Sequence, residues 1–571
     1  MTIRFLKFAW KREAEAEVPR PRRAVCRGCG YRAKPDAAFC RRCGAPLGQI
    51  RRSRAVPGAQ QNDFWPVATT GALSRWERLP RPSVARLRRI RRAAYRRSPA
   101  PILAEELSAR TTFTHRQILI LRFVAAALVV GAVINLIGAS VLVIGLITTL
   151  YVGAFVYRIR TFARALQRDP SIVVSDDAAR KLWSRSLPTY TVLVPAFREP
   201  EVIARLVGEI NRLEYPRDRL DVKLLLEEDD EATIKAAEAV VRGRHIEIVK
   251  VPFSVPQTKP KALNVGLSRA RGRSDRGMVT VYDAEDRPDS LQLRRAVAAF
   301  RPLPRTVACL QAKLGYYNTD QNIITRWFTI EYAMWFSQLL PGLVTQAAPI
   351  PLGGTSNHFR RAALEAVGGW DPHNVTEDAD LGIRLHRAGY RTGVLDSTTL
   401  EEANSDFVNW VKQRSRWYKG YMQTWLVHMR HPVQLWRDLG PWGFVGFNLF
   451  VGGTPFLALI NPLFWGLTTA WFVGRPQFIV ELFPSWLYYV SLLCLAFGNF
   501  TFTYAAIVSA RAAGRPGLVL AAAISPAYWV MMSIAAIKAA LQLASAPSFW
   551  EKTFHGLDRS TQEVASDRAA A

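Results

Sequence analysis

Two long apolar runs constrain the fold of this 571-residue chain more than any other feature. "ILILRFVAAALVVGAVINLI" covers residues 118–137, and "SVLVIGLITTLYVGAFVY" covers residues 140–157. Each run approaches the ~20 apolar residues that a helix needs to cross a bilayer. Because only Gly138 and Ala139 separate them, they predict a transmembrane helical hairpin over residues 116–158.

Basic residues follow this hairpin directly: Arg158, Arg160, Arg164 and Arg168. Arginine at the end of a membrane span indicates the cytoplasmic side. The start of the chain has no apolar core or small-residue cleavage site, so we expect no signal peptide.

Three further apolar runs occupy residues 446–474, 484–509 and 517–545, and we predict interfacial and transmembrane helices over 434–547. Three full spans would put the C-terminal tail on the side of the membrane away from the cytoplasm. A tail that contributes to a cytoplasmic site must lie on the cytoplasmic side. We therefore expect one run not to cross, and 517–545 is the best candidate because it carries Lys538 and Gln542 and can fold back at Pro526.

The N-terminal arm is strongly basic. Its first 100 residues hold 25 Lys and Arg against 6 Asp and Glu, which is +19 of the formal charge of +30. Such a charge favours anionic partners, either the cytoplasmic lipid surface or nucleic acid. Since the rest of the chain is far more balanced, we expect membrane lipids and no nucleic acid. Residues 51–115, rich in Arg, Pro and Ala, predict a linker or a basic helix lying on lipid.

Four cysteines form two CxxC pairs within residues 1–50: Cys26, Cys29, Cys40 and Cys43. This spacing is typical of a zinc ribbon, in which four thiolates hold one tetrahedral Zn²⁺. A site whose four positions are all filled by protein has a structural or docking role, so the arm is a candidate surface for export or accessory proteins. Free thiols also indicate a reducing compartment.

Strand-like and helix-like segments alternate between residues 188 and 400. β-branched runs at 189–197, 221–229, 246–254, 277–286 and 306–317 predict strands, and amphipathic segments lie between them. This alternation predicts the α/β fold class, with a mostly parallel sheet covered by helices. Ligands bind such sheets beyond the carboxyl ends of the strands.

Acidic residues fall at those strand ends. Glu227 and Glu228 end one predicted strand, and the motif "DAED" ends another with Asp283 and Glu285. Carboxylates at this spacing can hold a hard divalent cation that also bridges to phosphates. The alternative for each motif is that its acidic residues have no functional role, because acidic residues are common in turns.

Two more motifs follow, in the order "TED" and then "QRSRW". Glu377 and Asp378 begin a predicted helix, where capping and the helix dipole alone would favour acids. Gln413, Arg416 and Trp417 stand just before the chain returns to apolar sequence, where an interfacial anchor is the alternative.

Taken together, these motifs resemble the family-2 membrane glycosyltransferases of the cellulose synthase and hyaluronan synthase type. The resemblance covers residues 185–425, extends in topology to about 555, and is closest to bacterial exopolysaccharide synthases. It implies a GT-A-type domain inserted between transmembrane helices. It also implies inverting transfer of a hexose from a UDP-sugar to a growing β-linked polysaccharide, with processive export.

The resemblance also implies roles for individual residues. Asp378 is the expected base beside Glu377, and Gln413 and Arg416 are expected to hold the diphosphate while Trp417 stacks on the acceptor sugar. Asp283 and Glu285 would bind Mg²⁺ or Mn²⁺. The expected donor-binding residues are Phe197, Glu199, Glu227, Glu228, Lys259 and Asp283.

Two segments are weaker candidates. Gly354 and Thr355 fit a glycine-rich turn and a part of the acceptor site equally well. Within the tail 548–571, residues 548–556 resemble a loop that closes over the nucleotide, with Lys552 and Thr553 as the candidate contacts and an interfacial anchor as the alternative.

The sequence thus predicts a multi-pass enzyme of the bacterial inner membrane, with the catalytic domain and the N-terminus in the cytoplasm. Two alternatives remain: a nonprocessive transferase that loads a lipid carrier, and a membrane-tethered zinc-ribbon scaffold whose transferase domain is inactive.

Overall fold

The structure is a computed structural model that describes residues 24–25, 32–33, 103–512, 514–553 and 556. The chain divides into two units, Met1–Trp65 and Pro66–Ala571. In the first, β1 (Ala24–Val25) pairs antiparallel with β2 (Arg32–Ala33). The predicted zinc ligands, Cys26, Cys29, Cys40 and Cys43, lie outside the described residues, so the zinc ribbon stays a prediction.

The second unit is built on an eight-stranded sheet with the order β5-β4-β3-β6-β9-β8-β10-β7. The strands are β3 (Tyr190–Ala196), β4 (Leu220–Glu227), β5 (Ile246–Val251), β6 (Met278–Val281), β7 (Arg287–Pro288), β8 (Val307–Tyr316), β9 (Asn357–Arg360) and β10 (Arg391–Glu401). Strands β5, β4, β3 and β6 run parallel, as do β8 and β10. Strand β9 is antiparallel to β6 and β8. The predicted α/β class is confirmed.

Nineteen α-helices accompany the strands in the described part of the second unit. They are α1 (His115–Ile134), α2 (Leu136–Gln167), α3 (Asp176–Arg180), α4 (Ile203–Asn211), α5 (Glu231–Val240), α6 (Lys259–Ser268), α7 (Gln292–Phe300), α8 (Ile323–Met334), α9 (Leu340–Thr345), α10 (Arg361–Ala366), α11 (Glu377–Arg387), α12 (Phe407–His428), α13 (Pro432–Phe447), α14 (Gly453–Gly474), α15 (Gln477–Leu482), α16 (Ser485–Leu493), α17 (Asn499–Ala512), α18 (Val519–Ala523) and α19 (Ser525–Ser545).

Apolar side chains fill both faces of the sheet. Every residue of β4 is buried, as expected for a central parallel strand covered on both sides. On one face, Leu206 and Ile210 of α4 belong to the core. On the other, Leu263 and Leu267 of α6 belong to a second core. These helices hold the carboxyl ends of β3, β4 and β6 at one edge of the sheet.

Five described segments are helical, long and apolar enough to cross a bilayer: His115–Ile134, Leu136–Gln167, Pro432–Gly474, Ser485–Ala512 and Ser525–Ser545. The first two form the predicted hairpin, and Asn135 makes the turn between them by accepting a hydrogen bond from the backbone N of Gly138 at 2.8 Å. Phe123 and Val133 on α1 are 74% and 82% exposed, which suits contact with lipid.

A glycine allows the start of α11 to approach α12. A Cβ atom on Gly420 would collide with the side chain of Thr376, the residue before α11. We expect Gly420→Ala to destabilise the fold by about 1–3 kcal/mol through overpacking and to displace the neighbouring Asp378. The measurement is thermal unfolding in detergent.

The matched control is Gly208→Ala on α4, because nothing lies within 4 Å of a Cβ atom there. An alanine at this helical position should stabilise the domain by about 0.5–1 kcal/mol. Equal melting temperatures for the Gly420→Ala protein and the native protein would show that the contact between α11 and α12 can accommodate an added methyl group.

Candidate active site

One cavity of about 1350 Å³ extends from the carboxyl edge of the sheet to the apolar helices. It is lined by Phe197, Glu199, Glu227, Lys259, Asp283, Glu285, Gly354, Thr355, Glu377, Asp378, Gln413, Arg416, Trp417, Lys552 and Thr553. These residues were singled out on separate motifs of the sequence, and the fold brings them to one wall. Glu228 does not line the cavity.

Lys259 connects three parts of this wall. It begins α6, and its Nζ donates hydrogen bonds to the carboxylate of Asp283 and, at 3.0 Å, to the carbonyl of Gly354. Burial alone would lower the pKa of Lys259, but nearby carboxylates, led by Asp283, raise it. The ammonium group is therefore firmly charged and suited to a diphosphate.

Asp378 lies close to the same lysine. A Cβ atom placed on Gly354 would lie 3.5 Å from Oδ2 of Asp378 and 3.7 Å from Nζ of Lys259. Burial raises the pKa of Asp378, while Lys259 and Arg416 oppose that rise. A carboxylate with a raised pKa, stabilised by cations, is suited to accept a proton near neutral pH.

Glu377 is buried beside Asp378. Burial, and then repulsion from Asp378, raises the pKa of Glu377 to about 8. Because two adjacent buried carboxyl groups resist ionising together, the pair binds a proton more tightly than either group would alone.

Acidic side chains cluster beyond strand β6. Asp286 stabilises the turn by accepting hydrogen bonds from the backbone N of Asp283 at 2.9 Å and from the hydroxyl of Thr355. Burial and then the charges of neighbouring carboxylates raise the pKa values of Asp286 and Glu401 well above their usual range. In the described part of the chain, no three Asp, Glu, His or Cys side chains are close enough to form a metal site by themselves.

These groups nevertheless fit a divalent cation. Asp283 and Glu285 both face the cavity, and their oxygens are the ligands that Mg²⁺ and Mn²⁺ prefer. The mutual repulsion of the cluster is what a cation would relieve. A cation held by two carboxylates and a substrate phosphate needs no third carboxylate from the protein.

Helix α12 presents the three residues of the "QRSRW" motif. In the described ranges, Oε1 of Gln413 and Nε of Arg416 are buried and have no hydrogen-bond partner. Burial lowers the pKa of Arg416, and the carboxylates of Glu377 and Asp378 oppose this. A buried donor and acceptor without partners indicate a polar ligand between them.

The indole of Trp417 is fixed by its neighbours. It stacks on Phe328 at 6.1 Å and on Tyr332 at 6.5 Å, and the guanidinium of Arg414 lies 4.4 Å from its ring. The carboxylate of Glu331 holds Arg414 through two hydrogen bonds of 2.7 and 2.6 Å. The ring is thus a rigid surface on the cavity wall.

The two adjacent glutamates after strand β4 differ. Oε2 of Glu227 accepts hydrogen bonds from Lys261 at 3.1 Å and from Gln257 at 3.3 Å inside the site. Glu228 is exposed, and its Oε1 accepts a hydrogen bond from the backbone N of Phe253 at 2.5 Å. Of this pair, only Glu227 is positioned for a ligand in the cavity.

Thr355, expected at the acceptor, instead uses its hydroxyl to donate hydrogen bonds to Asp286 and to the carbonyl of Val281.

The segment after α19 covers the sheet end of the cavity. Nζ of Lys552 donates to the carbonyls of Phe197 at 2.5 Å and Arg198 at 3.0 Å. The guanidinium of Arg416 lies 4.6 Å from the ring of Trp550. Nζ of Lys419 donates to the carbonyl of Phe549 at 2.7 Å and anchors the base of the segment.

Removing the Lys552 side chain should loosen this cover. Hydrogen bonds from a charged group contribute about 1.5–3 kcal/mol, so Lys552→Ala should raise the KM for the donor about tenfold with a smaller change in kcat. Steady-state kinetics and hydrogen exchange at residues 546–553 are the measurements. The matched control is Lys235→Ala, which removes an exposed lysine on α5. An unchanged KM with unchanged exchange would contradict a closing role.

Some cavity residues were not found from sequence. Glu401 ends β10, a strand that the sequence did not predict, and Glu331 lies in an apolar helix as a single acid that belongs to none of the motifs. Trp550 stands in the tail, where only the neighbouring Lys552 and Thr553 were singled out. A lone acid between aromatic residues on a helix is the one signal that could have identified Glu331.

A family model matches much of this site. Residues 278–537 match the model of glycosyl transferase family group 2. This part of the chain is therefore similar to family-2 glycosyltransferases. The predicted resemblance is confirmed at this level, whereas the finer likeness to cellulose and hyaluronan synthases stays a prediction.

Individual relatives agree with this family. The chain is 26% identical over 277 residues to the probable glycosyltransferase YdaM of Bacillus subtilis, an alignment that covers 47% of this chain and 64% of that protein. It is 30% identical over 253 residues to the beta-monoglucosyldiacylglycerol synthase of Synechocystis, covering 43% and 50%. The chain therefore spans about half to two thirds of the curated relatives it matches.

Among solved structures, the mannosyltransferase PcManGT of Pyrobaculum calidifontis, in complex with GDP-Man and Mn²⁺, superposes with a TM-score of 0.46. The two proteins are 18% identical, and the match covers 71% of this chain and 98% of that one.

Proposed function

We propose that the chain is a membrane-embedded inverting glycosyltransferase. It transfers a hexose from a UDP-sugar to an acceptor hydroxyl in the cavity beneath its apolar helices. The observation that carries this proposal is the convergence of Lys259, Asp283, Asp378 and Arg416 on one cavity that continues between those helices. A cationic pocket beside a buried base has the composition that sugar transfer from a nucleoside diphosphate requires.

The reaction is a single displacement. Asp378 takes the proton of the acceptor hydroxyl while its oxygen bonds to the anomeric carbon of the donor. The bond from that carbon to the diphosphate oxygen breaks, and its electron pair leaves with UDP. Lys259 and Arg416 stabilise the charge that grows on the diphosphate. One displacement inverts the anomeric centre, and no carboxylate nucleophile is needed.

The remaining residues bind and orient. Glu227, Phe197 and Glu199 line the part of the cavity where the nucleoside would lie, and Gln413 supports the diphosphate. Trp417 offers its rigid face to the acceptor sugar. Asp283 and Glu285 would hold Mg²⁺ or Mn²⁺, which supplies positive charge to the diphosphate when bound.

We also propose four membrane spans with the tail on the catalytic side. Near its start, α19 is tied to the catalytic domain because the hydroxyl of Tyr528 donates to Glu331 at 2.8 Å, and further along Lys538 pairs with Glu551 of the following segment at 2.7 Å. Lys419 of α12 donates to the carbonyl of Ala546, immediately after α19, at 3.3 Å. A helix attached to the domain at both ends lies at the interface, which supports the prediction for residues 517–545.

The direct test uses the full chain purified in nanodiscs with a panel of UDP- and GDP-hexoses. We expect UDP release with at least one UDP-hexose and a product whose anomeric configuration, read by NMR, is the opposite of the donor's. A product with retained configuration, or no release with any sugar, would overturn the proposal. Three points stay predictions: the polysaccharide product, its export and the inner-membrane location. The same product analysis also measures how many sugars are added to the acceptor.

Removal of the divalent cation should also lower the sugar-transfer activity. Chelation with EDTA should reduce transfer at least about a hundredfold, because the carboxylates of Asp283 and Glu285 then repel the diphosphate. Added Mn²⁺ or Mg²⁺ should restore it. The control is Ca²⁺, a larger cation with different ligand geometry. Full activity in EDTA would contradict the assignment of Asp283 and Glu285.

A further inference from the structure

An unpaired cation lies on the membrane side of the cavity. Arg158 is on α2 and lines the cavity, with its guanidinium 5.6 Å from the rings of both Phe450 and Phe502. Its Nη2 donates to the hydroxyl of Thr454 at 2.8 Å. Within the described ranges its Nε is buried without a hydrogen-bond partner, and no carboxylate forms an ion pair with it.

The protein offers this arginine no counter-charge. Glu331, which also lines the cavity, is occupied by Arg414 and by the hydroxyl of Tyr528. A buried charged side chain is costly unless it is paired, so a buried arginine with only neutral neighbours indicates an anionic ligand. Arginine is also the side chain best shaped to bind a phosphate through two parallel hydrogen bonds.

The wall around and beyond Arg158 is apolar. Its aromatic and aliphatic members include Phe155, Leu457, Phe464, Trp465, Leu492 and Met532. Several polar side chains that line the cavity bond to one another or to the backbone: Tyr151 to Asn461, Thr148 to Ser491 at 3.4 Å, and Thr468 to the carbonyl of Phe464 at 2.7 Å. Their hydrogen-bonding groups are already used, and a hydrocarbon chain needs none.

Arg158 shares its cavity with the proposed base. Asp378 and the phenol of Tyr421 on α12 line the same cavity as Arg158. A head group bound at Arg158 would therefore project into the cavity that holds Asp378.

From these contacts we infer that Arg158 binds the phosphate of a lipid acceptor. The lipid's hydrocarbon chains occupy the apolar wall, and a hydroxyl of its head group points toward the proposed base. This inference rests on the proposed transferase function and names its acceptor class.

Lipid binding without donor tests the inference. The full chain in a polyoxyethylene detergent is titrated with dioctanoyl phosphatidylglycerol, dioctanoylglycerol or glycerol 3-phosphate, and tryptophan fluorescence reports binding. We expect the phospholipid to bind at least about tenfold more tightly than either other ligand, since only it offers both the charged hydrogen bonds and the chains. Arg158→Gln should abolish its advantage over dioctanoylglycerol, and Arg158→Lys should keep part of it.

The matched control is Arg160→Gln, two residues further along α2, where the guanidinium is exposed and lies 5.3 Å from the ring of Trp442. It should bind the phospholipid like the native protein. UDP binding, measured on the same samples, should be unchanged in all three variants, which shows that each is folded.

Three results would overturn the inference. The first is that the Arg158→Gln protein binds the phospholipid as tightly as the native protein does. The second is binding of glycerol 3-phosphate as tight as that of the phospholipid, which would indicate a site for free anions. The third is tighter binding of a glucuronate-containing oligosaccharide, which would indicate an acidic polysaccharide. Failure of sugar transfer would instead refute the proposed function, because lipid binding is measured without donor.

Discussion

Sugar transfer by an Asp378→Asn protein is expected to fall about 10³-fold while the protein still binds UDP. The carboxylate beside Lys259 and Gly354 is the proposed acceptor of the hydroxyl proton, and an amide of the same shape cannot accept that proton. The measurement is UDP release at saturating donor, together with UDP affinity by calorimetry.

The matched control is Asp396→Asn. Asp396 is 41% exposed, pairs with Lys313 at 2.7 Å and does not line the cavity, so this variant should transfer sugar like the native protein. Native turnover by the Asp378→Asn protein would assign proton transfer to another group. Loss of UDP binding together with turnover would make Asp378 a donor-binding residue.

The second large effect is expected for Arg416→Gln. The guanidinium faces the same cavity as Asp378, and its buried Nε has no partner among the described residues. Without this positively charged hydrogen-bond donor, the negative charge that develops on the leaving diphosphate is less stabilised. The variant should therefore lower kcat about 10²–10³-fold, with a smaller effect on the KM for the UDP-sugar. Single-turnover kinetics separate this loss from slow product release.

Arg437→Gln is the control for this change, because Arg437 is an exposed residue of α13 that does not line the cavity. A rise in the donor KM with unchanged kcat would show that Arg416 contributes only to ground-state binding. Equal kcat and KM in the Arg416→Gln protein and the native protein would remove the residue from the site.

Much of the sheet was predictable because its strands are regular. The β-branched runs at 189–197 and 306–317 correspond closely to β3 and β8. The run at 277–286 ends early, since β6 stops at Val281 and the acidic turn follows. Strands β9 and β10 were not predicted, because their polar residues interrupt the apolar pattern.

The residues that line the cavity could be singled out where they form a rare combination in the sequence. A carboxylate pair at a helix start, followed by Gln, Arg and Trp before apolar sequence, leaves few alternatives. Partners that depend on packing were not predictable. Glu331 meets Arg414 from another helix, and only the fold shows that Glu228 faces away while Glu227 faces in.

Membrane topology could be predicted only in part. Hydropathy identified the hairpin and the later apolar segments, because length and composition suffice for that. It could not decide whether α19 crosses the membrane, since the contact of Tyr528 with Glu331 joins residues that are far apart in the sequence.

The central claim is that distant motifs form one nucleotide-sugar site below a membrane cavity. The most direct measurement is a cryo-EM structure of the Asp378→Asn protein in nanodiscs with a UDP-hexose and Mn²⁺. The account predicts a diphosphate contacting Lys259 and Arg416, with the anomeric carbon facing residue 378. A nucleotide bound elsewhere, or residue 378 on the same side of the sugar as the departing diphosphate, would contradict it.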